Sequence, residues 1–560
     1  MIPTIPPTLA PRRLAWPMAL APAVLLALTA AHPALAQTAP PPDAGQLLEE
    51  NRRQNAPALP PRAPARIIDA PVRPTVNMPD GMTVTPSAFR ISGAVSFDAD
   101  TLAALVKPWL GRKLDINGLN EATGAITRHY QGAGHLLSYA YLPAQRVADG
   151  VIEIAVLEGR VEAVQVVAAQ DARLHDDVVQ AHTARLTAPG PLLQPQVERA
   201  LLLLNDIPGV TARAAFTPGA SPGAADLVVS VAESEPLDLR FDISNHGGVS
   251  TGEYRAGLTL QLRDLFGRGD ATTVRGLVSN QGSLVSGTLA TTVPLGGDGW
   301  RGGASLSRLS YQLAGNFKPL VAVGTADTLA LDASYAMRRS VDTNVNAKAS
   351  YEHKRLRDEV RRVGTITRKR NELFELTGSA DHRDDIGGVS AASITATLGM
   401  LQQAGPATEW HRLSAQLARQ QALAGPFSAY LRLAGQTTGT ALDSSEKLGL
   451  GGPGAVRAYA AGEAAVDRGY VAALEARYTL DYLGGNLVWS LFRDQAAGDI
   501  TRGATSADNH VSLSGTGLGL AWQGPGLGLN ASLAWRGARL PTADPRDPQP
   551  RFFLQVFYTP

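Results

Sequence analysis

The 560-residue sequence contains no cysteine, and only 18% of its residues are charged. The lack of cysteine excludes disulfide bonds, thiolate zinc sites and cysteine nucleophiles. Its 51 basic and 50 acidic residues nearly cancel, so the positive excess expected of a general nucleic-acid-binding protein is missing. Beyond residue 36 no run of about 18 apolar residues occurs, which excludes helical membrane spans. A hydrophobic content of 44% suits a soluble protein and equally a membrane β-barrel, in which apolar and polar residues alternate.

The N-terminal residues have the three parts of an export signal. Arg12 and Arg13 precede an apolar run over 14–31, and small residues follow at Ala34-Leu35-Ala36. This pattern predicts a cleaved secretory signal peptide over 1–36, so the mature chain starts outside the cytoplasm. An uncleaved membrane anchor is the alternative, which the prolines in the run and the small residues at its end disfavour.

Residues 37–85 are rich in proline and alanine and carry too little apolar mass to pack a core. One island, 43–54, can form a helix, because Asp43 is a suitable N-cap and arginines lie near its C-terminal end. Leu47 and Leu48 are its large apolar residues. A helix this short is marginal by itself and needs a docking site. A linker helix and a functional plug both remain open.

A mixed α/β pattern then occurs twice, over 86–160 and 161–235. Each unit has the order β-α-α-β-β in about 70 residues, and such recurrence indicates a repeated module. The second unit includes a helix with the run Leu201-Leu202-Leu203-Leu204.

From residue 236 to 560, short segments of alternating apolar and polar residues are separated by glycine, proline and aspartate. At 254–262, for example, every second residue is tyrosine, alanine or leucine. Sixteen such segments can be counted, with about 20 residues per strand and loop. An even number lets a barrel close without an unpaired edge. We therefore predict a 16-stranded antiparallel transmembrane β-barrel; a soluble β-sandwich or β-helix would not explain both the export signal and this alternation.

Several motifs resemble, in order, those of one family of bacterial secretion proteins. In the first module they include Tyr130, the run Leu142-Pro143-Ala144-Gln145, and Glu158-Gly159; the second has Asp206–Val210. These motifs are similar to those of the TpsB family of two-partner secretion transporters, the ShlB/FhaC/HecB-type hemolysin and filamentous-hemagglutinin secretion proteins of the BamA-related superfamily. The resemblance implies two periplasmic α/β POTRA modules, 86–160 and 161–235, followed by the C-terminal barrel.

The most informative match lies in the predicted loop 439–468. Similar to the family's Val-Arg-Gly-Tyr/Phe loop motif are Gly451, Gly452, Val456, Arg457 and Tyr459, with Ala458 where the family usually has glycine. The resemblance implies that this loop folds into the barrel lumen and that Arg457 pairs with Asp494 on the wall. The length of the segment by itself also indicates a functional loop, because a connection of about 30 residues is too long for an ordinary hairpin. A guanidinium in a partly dehydrated lumen also needs a carboxylate. A solvated loop arginine is the alternative.

Other candidate sites are weaker. The basic segment His353–Arg370 has only Tyr351 as a neighbouring aromatic, so contact with lipopolysaccharide or with a polar lumen is favoured over nucleic acid. Asp381–Asp385 lacks EF-hand spacing and is interpreted as a periplasmic turn. The histidines show no paired metal-ligand spacing, and no G-x-S-x-G motif occurs. We therefore expect no metal, no cofactor and no enzymatic activity.

The resemblance implies that the protein secretes a separately encoded large exoprotein, of the hemolysin or adhesin type, across the outer membrane. The POTRA modules would capture unfolded cargo in the periplasm through free sheet edges, and the barrel would conduct it. Expected partners are this exoprotein, outer-membrane lipid and lipopolysaccharide, and the barrel assembly machinery for the protein's own insertion, without nucleic acid. A BamA-like insertase is the main alternative. A passive porin or gated channel would leave the POTRA modules unexplained, and a barrel enzyme would need a nucleophile that is not found.

Overall fold

The computed structural model describes residues 41–54, 67–68, 83–168, 172–221, 223–506, 509–537, 543–544 and 546–560. The predicted signal peptide 1–36 lies outside these residues. Three parts follow one another along the described chain: an N-terminal helix, two α/β modules and a closed barrel. No helix in the described ranges is long and apolar enough to cross a membrane.

The N-terminal helix α1 spans Ala44–Gln54. Asp43 caps it as expected, since its carboxylate accepts a hydrogen bond from the Gln46 backbone N at 2.9 Å. A Glu49–Arg53 ion pair of 2.9 Å, one helical turn apart, adds local support. These contacts fix the start and the pitch of the helix, but its stability depends on what it packs against.

The first module contains helices α2 (Ala99–Val106) and α3 (Ile116–Gly132) and strands β2 (Ala88–Ser92), β3 (Tyr139–Tyr141) and β4 (Val151–Leu157). Its three-stranded sheet has the order β2-β4-β3. Asp98 and Asp115 cap the two helices through backbone N–H groups at 2.7 and 2.8 Å. The predicted β-α-α-β-β order is present, and its core includes the fully buried Tyr130.

The second module contains strands β5 (Arg160–Ala168), β6 (Val210–Pro218) and β7 (Ala224–Glu233) and helices α4 (Asp176–Thr183) and α5 (Gln194–Asn205). The four consecutive leucines of α5 are all buried; Leu201 and Leu204 belong to the core of the module, and Leu203 lies beside Gly299 of the barrel. A further strand, β1 (Ile67–Ile68), comes from the proline-rich linker and pairs in parallel with β6, giving the order β1-β6-β7-β5. No pattern in the sequence predicted β1, because two residues are too few for a periodic pattern.

The barrel has sixteen strands, each antiparallel to both neighbours, and β25 closes it against β8. The strands are β8 (Leu237–Ser244), β9 (Arg255–Arg263), β10 (Ala271–Ser279), β11 (Leu284–Pro294), β12 (Trp300–Gln312), β13 (Ala322–Arg339), β14 (Thr343–Val360), β15 (Thr365–Arg383), β16 (Gly388–Gln402), β17 (Thr408–Ala422), β18 (Phe427–Thr437), β21 (Arg468–Tyr482), β22 (Gly485–Asp499), β23 (His510–Gln523), β24 (Leu527–Arg536) and β25 (Arg551–Tyr558), with the short strands β19 (Leu448–Gly449) and β20 (Ala465–Val466) inside one loop. The predicted strand count is confirmed.

β15 begins at Thr365, and its ladder with β14 starts at the pair Val360–Thr365. Residues 365–370 are mostly polar on both faces, so the alternation that marks a membrane strand is missing there.

The second module packs against the near end of the barrel. Arg339, at the end of β13, makes a two-pronged contact of 2.8 and 2.7 Å with the carboxylate of Asp206, which follows α5. Arg301 donates to the Asp206 carbonyl at 2.9 Å. Gly297, in the turn between β11 and β12, lies so close to α4 that a Cβ there would be 2.0 Å from the Ala181 carbonyl oxygen. The loop over 438–467 leaves and re-enters the wall at the opposite end, because strands alternate in direction from β8 onward.

Candidate functional site in the barrel lumen

The loop between β18 and β21, residues 438–467, folds back into the barrel. Val456 and Tyr459 are fully buried, together with Leu450, in a cluster that includes Phe492 and Leu513 from the barrel wall. The loop is braced internally by the β19–β20 pairing. The long connection expected from sequence is therefore an ordered body packed against the inner wall.

Arg457 lies at the centre of this contact. Its Nε and Nη2 atoms donate to the two carboxylate oxygens of Asp494 at 2.9 and 2.7 Å, and its backbone N donates to the same carboxylate at 3.0 Å. Its Nη1 lies 2.8 Å from Glu475 of β21. The guanidinium carbon also lies 3.4 Å from the ring centroid of Phe492. The pair inferred from the resemblance is thus present, and a freely solvated arginine is inconsistent with these contacts.

Glu475 is a component that sequence reasoning missed. It lies on β21, is nearly buried, and pairs with both Arg457 and Arg477, the latter at 2.7 Å. Its position could have been found from the alternation of β21, in which Glu475 falls on an inward position of the strand. The sequence alone does not say which of the wall carboxylates meets the loop arginine.

Glycines allow the loop to lie tightly folded. Gly452 has φ +106°, a conformation that side chains disfavour, and a Cβ on Gly451 would lie 2.6 Å from the Ala460 carbonyl oxygen. Ala458, the departure from the family motif, faces Gly515 on β23, where an added Cβ would lie only 2.5 Å from the alanine Cβ. The missing side chain on the wall therefore provides the room that the additional methyl group needs.

A second ionic cluster, also unrecognised in the sequence, holds the first half of the loop. The buried carboxylate of Glu446 accepts from Lys354 Nζ at 2.6 Å and from Asn371 at 3.0 Å, and lies 3.1 Å from Arg412. Lys354 belongs to the basic segment 353–370. For this lysine and for Lys369 the polar-lumen alternative is therefore correct, while most other cations of the segment are exposed.

Helix α1 also lies inside the barrel. Leu47 and Leu48 are buried among apolar side chains of the wall. Arg52 Nη2 contacts both carboxylate oxygens of Glu352 at 2.8 and 2.9 Å, and Glu50 pairs with Arg255 at 2.8 Å. The sequence left open a linker helix and a functional plug; in the structure the helix lies in the lumen.

The helix and the loop contact each other as well as the wall. Lys369 Nζ bridges Asp43 at 3.0 Å and Asp443 of the loop at 2.7 Å. The Ser444 hydroxyl donates to Asp43 at 2.7 Å, and Arg53 donates to the Lys447 carbonyl. The two lumen segments are therefore linked through shared ion pairs, and displacement of either one breaks contacts made by the other.

The motif residues of the first module lie away from the lumen and support the module itself. Tyr130 donates to Glu158 at 2.8 Å, and Glu158 also accepts from the Val95 and Ser96 backbone N–H groups. Although partial burial opposes it, these hydrogen bonds hold the pKa of Glu158 below its ordinary value.

The remaining motif residues of the first module brace strands and approach other backbone closely. Gln145 makes paired hydrogen bonds of 2.8 and 2.7 Å with the Glu153 backbone, and its amide lies 3.3 Å from the Pro143 carbonyl. Leu142 is buried in the module core. A Cβ on Gly159 would lie 2.4 Å from Leu137 Cβ. These residues hold the fold of the module and contribute nothing to the lumen contacts.

The acidic run Asp381–Asp385 forms the end of β15 and the following turn. Asp384 accepts from Arg419 at 2.7 Å and from the Gly388 backbone N at 2.6 Å, and Asp381 accepts from Asn344 at 2.8 Å. Within the described ranges no group of three or more histidine, aspartate or glutamate side chains is arranged to hold a metal ion.

Comparison with known proteins decides the family. The family model described as haemolysin secretion/activation protein ShlB/FhaC/HecB matches residues 223–522. The chain belongs to this family. A second model, POTRA domain, ShlB-type, matches residues 84–159, which contain the first module. The protein is a two-partner secretion transporter of the outer membrane with its modules in the periplasm, and it acts with a secreted exoprotein. Members of the family are transporters rather than enzymes.

Individual relatives agree with this assignment. The heme/hemopexin transporter protein HuxB of Haemophilus influenzae (strain 86-028NP) is 27% identical over 455 residues, covering 78% of this chain and 80% of HuxB. CdiB from Escherichia coli has the same fold, with a TM-score of 0.69 at 19% identity over 92% of this chain and 96% of CdiB. BamA from Haemophilus ducreyi lacking POTRA domains 1-3 gives a TM-score of 0.53 at 14% identity, covering 85% of this chain and 100% of that structure. The likeness to BamA concerns the fold alone.

Proposed function

We propose that the two lumen segments, α1 and loop 438–467, form the resting lock of a pore through which the exoprotein passes. The observation that carries this proposal is that both segments are held by ion pairs to the wall and to each other. The Arg457–Asp494–Glu475 contact anchors the loop, Arg52–Glu352 and Glu50–Arg255 anchor the helix, and Lys369 joins the two.

Ion pairs suit a lock that must open as a whole. A buried pair strongly resists the loss of one partner, by about 3–5 kcal/mol, because the other charge is left without compensation. When the entire segment leaves, both charges regain water, and the penalty is largely returned. A plug made only of apolar side chains has no charges and so regains no hydration free energy when it leaves the lumen. The lumen contacts therefore favour two well-defined states, closed and open.

Capture of the cargo falls to the modules in this proposal. Unfolded exoprotein in the periplasm would add as a strand to an open sheet edge, which needs little sequence specificity. Folding of the cargo outside the cell would then provide the direction of transport, since no nucleotide-binding motif occurs in the sequence. The hemolysin or adhesin type of the cargo belongs to the same proposal.

Two further partners follow from surface features. The exposed cations of the basic segment, among them Arg355, Arg357, Arg361 and Arg362, lie near the far end of β14, where phosphate groups of lipopolysaccharide would complement them. The last strand carries Phe553, Phe557 and Tyr558, a C-terminal aromatic pattern that the barrel assembly machinery would use to insert the protein.

A BamA-like role in assembling other outer-membrane proteins is the second candidate, favoured by the shared fold and by the short seam between β25 and β8. That seam has four residue pairs, whereas β14 and β15 share eighteen. Opening the seam would expose strand edges to which a client strand could pair.

Quantitative proteomics of culture medium and outer membrane, with and without the gene, separates the two roles. Loss of one large exoprotein from the medium, with other barrels unchanged, is the expected result for the transporter. A broad fall in outer-membrane barrels with an unchanged medium would overturn the proposal in favour of the assembly role.

A further inference from the structure

Two rungs of the ladder between β14 and β15 consist only of arginines. On β14 the odd-numbered positions face outward, since Arg355 and Arg357 are exposed and the intervening Leu356 is buried. Their exposed partners across the ladder are also arginines, in the pairs Arg355–Arg370 and Arg357–Arg368. Like charges directly opposite each other destabilise paired strands. This part of the outer wall, at the end of the barrel far from the second module, therefore favours an anion beside it.

Carboxylates of the protein neutralise these arginines only in part. Arg368 and Arg370 make no ion pair with any side chain in the described ranges. Glu359 lies 3.1 Å from Arg357, but this carboxylate also pairs with a second arginine at the tip of the hairpin. Asp327 of β13 lies opposite the fourth arginine and is shared with β12 through an ion pair of 3.4 Å. The outward face thus retains uncompensated positive charge.

Inward cations of the same two strands are paired differently. Lys354 Nζ lies 2.6 Å from Glu446, and Lys369 Nζ lies 2.7 Å from Asp443, both in the lumen loop. Each inward lysine therefore has a carboxylate that the fold itself supplies. The contrast between the two faces indicates that the counter-ion of the outward arginines comes from outside the protein.

An open concavity on the same wall lies beside the arginines. Its volume is about 560 Å³, and its exposed apolar lining consists of Tyr351, Phe374, Leu398 and Met400. Phe374 follows Arg370 by four residues, so the apolar lining begins about 13 Å further along the strand, towards the membrane. Between them, Glu372 and Glu409 lie opposite Met400 from its two sides. The wall therefore presents cations, then polar groups, then apolar side chains.

We propose that this face of β14–β17 is a binding site for lipid A, the bisphosphorylated glycolipid that anchors lipopolysaccharide. The opposed arginines hold its phosphates, because a planar guanidinium forms paired hydrogen bonds with phosphate oxygens. The carboxylates accept hydrogen bonds from the sugar, and the apolar lining contacts the acyl chains. This inference rests on the proposed contact with lipopolysaccharide and narrows that contact to one part of the wall.

The arrangement favours lipid A over a phospholipid. Two arginine rungs, about 7 Å apart along the strands, offer places for more than one phosphate group. A phospholipid headgroup brings a single phosphate and leaves the second rung uncompensated. The sugar that joins the phosphates of lipid A also matches the polar belt between cations and apolar lining.

The test uses the full-length protein in detergent and measures bound lipid by native mass spectrometry. The probes are lipid A, its monophosphoryl form and phosphatidylglycerol. Arg368→Ala with Arg370→Ala removes the two arginines that have no partner in the described chain. The control, Arg468→Ala with Arg493→Ala, removes two outward arginines from β21 and β22. Heat-modifiable migration shows that each variant is a folded barrel.

We expect the β15 variant to bind lipid A about tenfold more weakly than wild type, because charge-assisted contacts to phosphate are lost. The control should stay within about twofold of wild type. Wild type should also prefer lipid A to its monophosphoryl form, and the β15 variant should lose this preference. A merely structural role of the arginines would leave the preference unchanged.

A second variant tests the apolar part independently. Leu398→Ala with Met400→Ala shortens two exposed side chains of the concavity without changing any charge. We expect lipid A binding to weaken about threefold to fivefold, because apolar contact with the acyl chains is reduced. The preference for two phosphates over one should remain. Unchanged binding would show that the acyl chains do not occupy the concavity and would overturn this part of the site.

The failure of this inference differs from the failure of the proposed contact. If wild type prefers lipid A but the β15 variant binds it equally well, the lipid binds elsewhere on the barrel and this site is wrong. An equal loss in the control would overturn the site as well, since overall charge would then explain binding. If wild type binds lipid A no better than phosphatidylglycerol, the lipopolysaccharide contact itself is wrong, while the secretion function is judged separately by the proteomic comparison.

Discussion

Arg457 is connected to the wall through three separate groups, and this distinguishes it from a simple surface ion pair. Its guanidinium satisfies Asp494 with two hydrogen bonds and Glu475 with a third nitrogen, while its face covers Phe492. Lysine cannot reproduce the planar fork or this stacking. The loop motif therefore demands arginine for geometric reasons, beyond the charge.

Arg457→Ala should weaken loop closure by about 3–5 kcal/mol, because Asp494 is left buried without its partner. We expect a folded, heat-modifiable barrel in the membrane, reduced secretion, and more frequent openings in planar-bilayer conductance. Asp494→Ala should act in the same direction but less strongly, since Glu475 still holds the arginine. Arg477→Ala is the matched control, because this arginine contacts Glu475 but not the loop. Normal export and unchanged conductance in Arg457→Ala would contradict the lock.

The contact between Ala458 and Gly515 gives a second prediction. Gly515→Ala places two Cβ atoms at 2.5 Å, which real structures do not tolerate, so the loop must shift away from the wall. We expect secretion and conductance changes like those of Arg457→Ala but smaller. Adding Ala458→Gly should rescue the variant because it removes the clashing methyl group. Absence of rescue would show that Gly515 acts through something other than this contact.

Glu158 provides a pH prediction in the first module. Its folded pKa lies below its ordinary value, so the unfolded state binds protons more readily and stability rises with pH through this range. The contribution is present above the ordinary glutamate pKa and is lost as pH falls through the folded value. Glu158→Gln should cost about 1 kcal/mol at pH 7, allowing for solvent screening, and progressively less as the pH falls below the ordinary glutamate pKa. Urea unfolding followed by fluorescence measures this; a pH-independent difference would contradict it.

At the scale of elements, α1 is a short helix that is stable because the barrel receives it. Its apolar side packs on the wall, and its charged residues meet partners on β9 and β14. The same helix in solution would be marginal. Loss of the ion pair between Arg52 and Glu352 should therefore loosen the attachment of the helix to the barrel wall.

Arg52→Ala and Glu352→Ala should each increase the open probability of the channel, since each loses the same two-pronged contact. If the pair acts as one unit, the double variant should have an effect clearly smaller than the sum of the two single effects. Single-channel recordings provide the measurement, and the extent of helix release can be followed by protease access to the linker. Additive effects would show that the two residues act independently.

At the scale of the whole molecule, the barrel and second module form one joined body, while the β25–β8 seam is the shortest ladder of the closed sheet. A transporter conducts through the lumen and has no need to open this seam. An assembly factor must open its wall, because a closed barrel has no free strand edge.

A seam disulfide separates these cases. Ser244 and Gln555 are directly opposed across the seam, and the native chain has no cysteine to interfere. In Ser244→Cys with Gln555→Cys, oxidation should leave secretion within about twofold of the reduced protein, since the lumen is unaffected. Each single cysteine variant is the control. Loss of secretion on oxidation, with recovery on reduction, would show that the seam must open.

Much of the architecture was predictable from sequence because it depends on local periodicity. Alternation with period two gave the sixteen strands, and repeated β-α-α-β-β patterns gave both modules. This alternation is missing at the start of β15, where the side chains on both faces of the strand are mostly polar. The pairing of Arg457 with Asp494 needed the family resemblance, since residues 37 positions apart have no local pattern that joins them.

The sequence by itself determined the element types, the strand count and the presence of a long glycine-rich loop with an arginine that requires a carboxylate. Only the tertiary structure decided that α1 lies in the lumen, that Glu475 and Glu446 hold the loop against the wall, that Lys369 joins helix and loop, and that β1 pairs with β6. The physical reason is that alternation and capping act between near neighbours, whereas ion pairs across a lumen and strands added from a linker depend on which distant surfaces the closed barrel brings together.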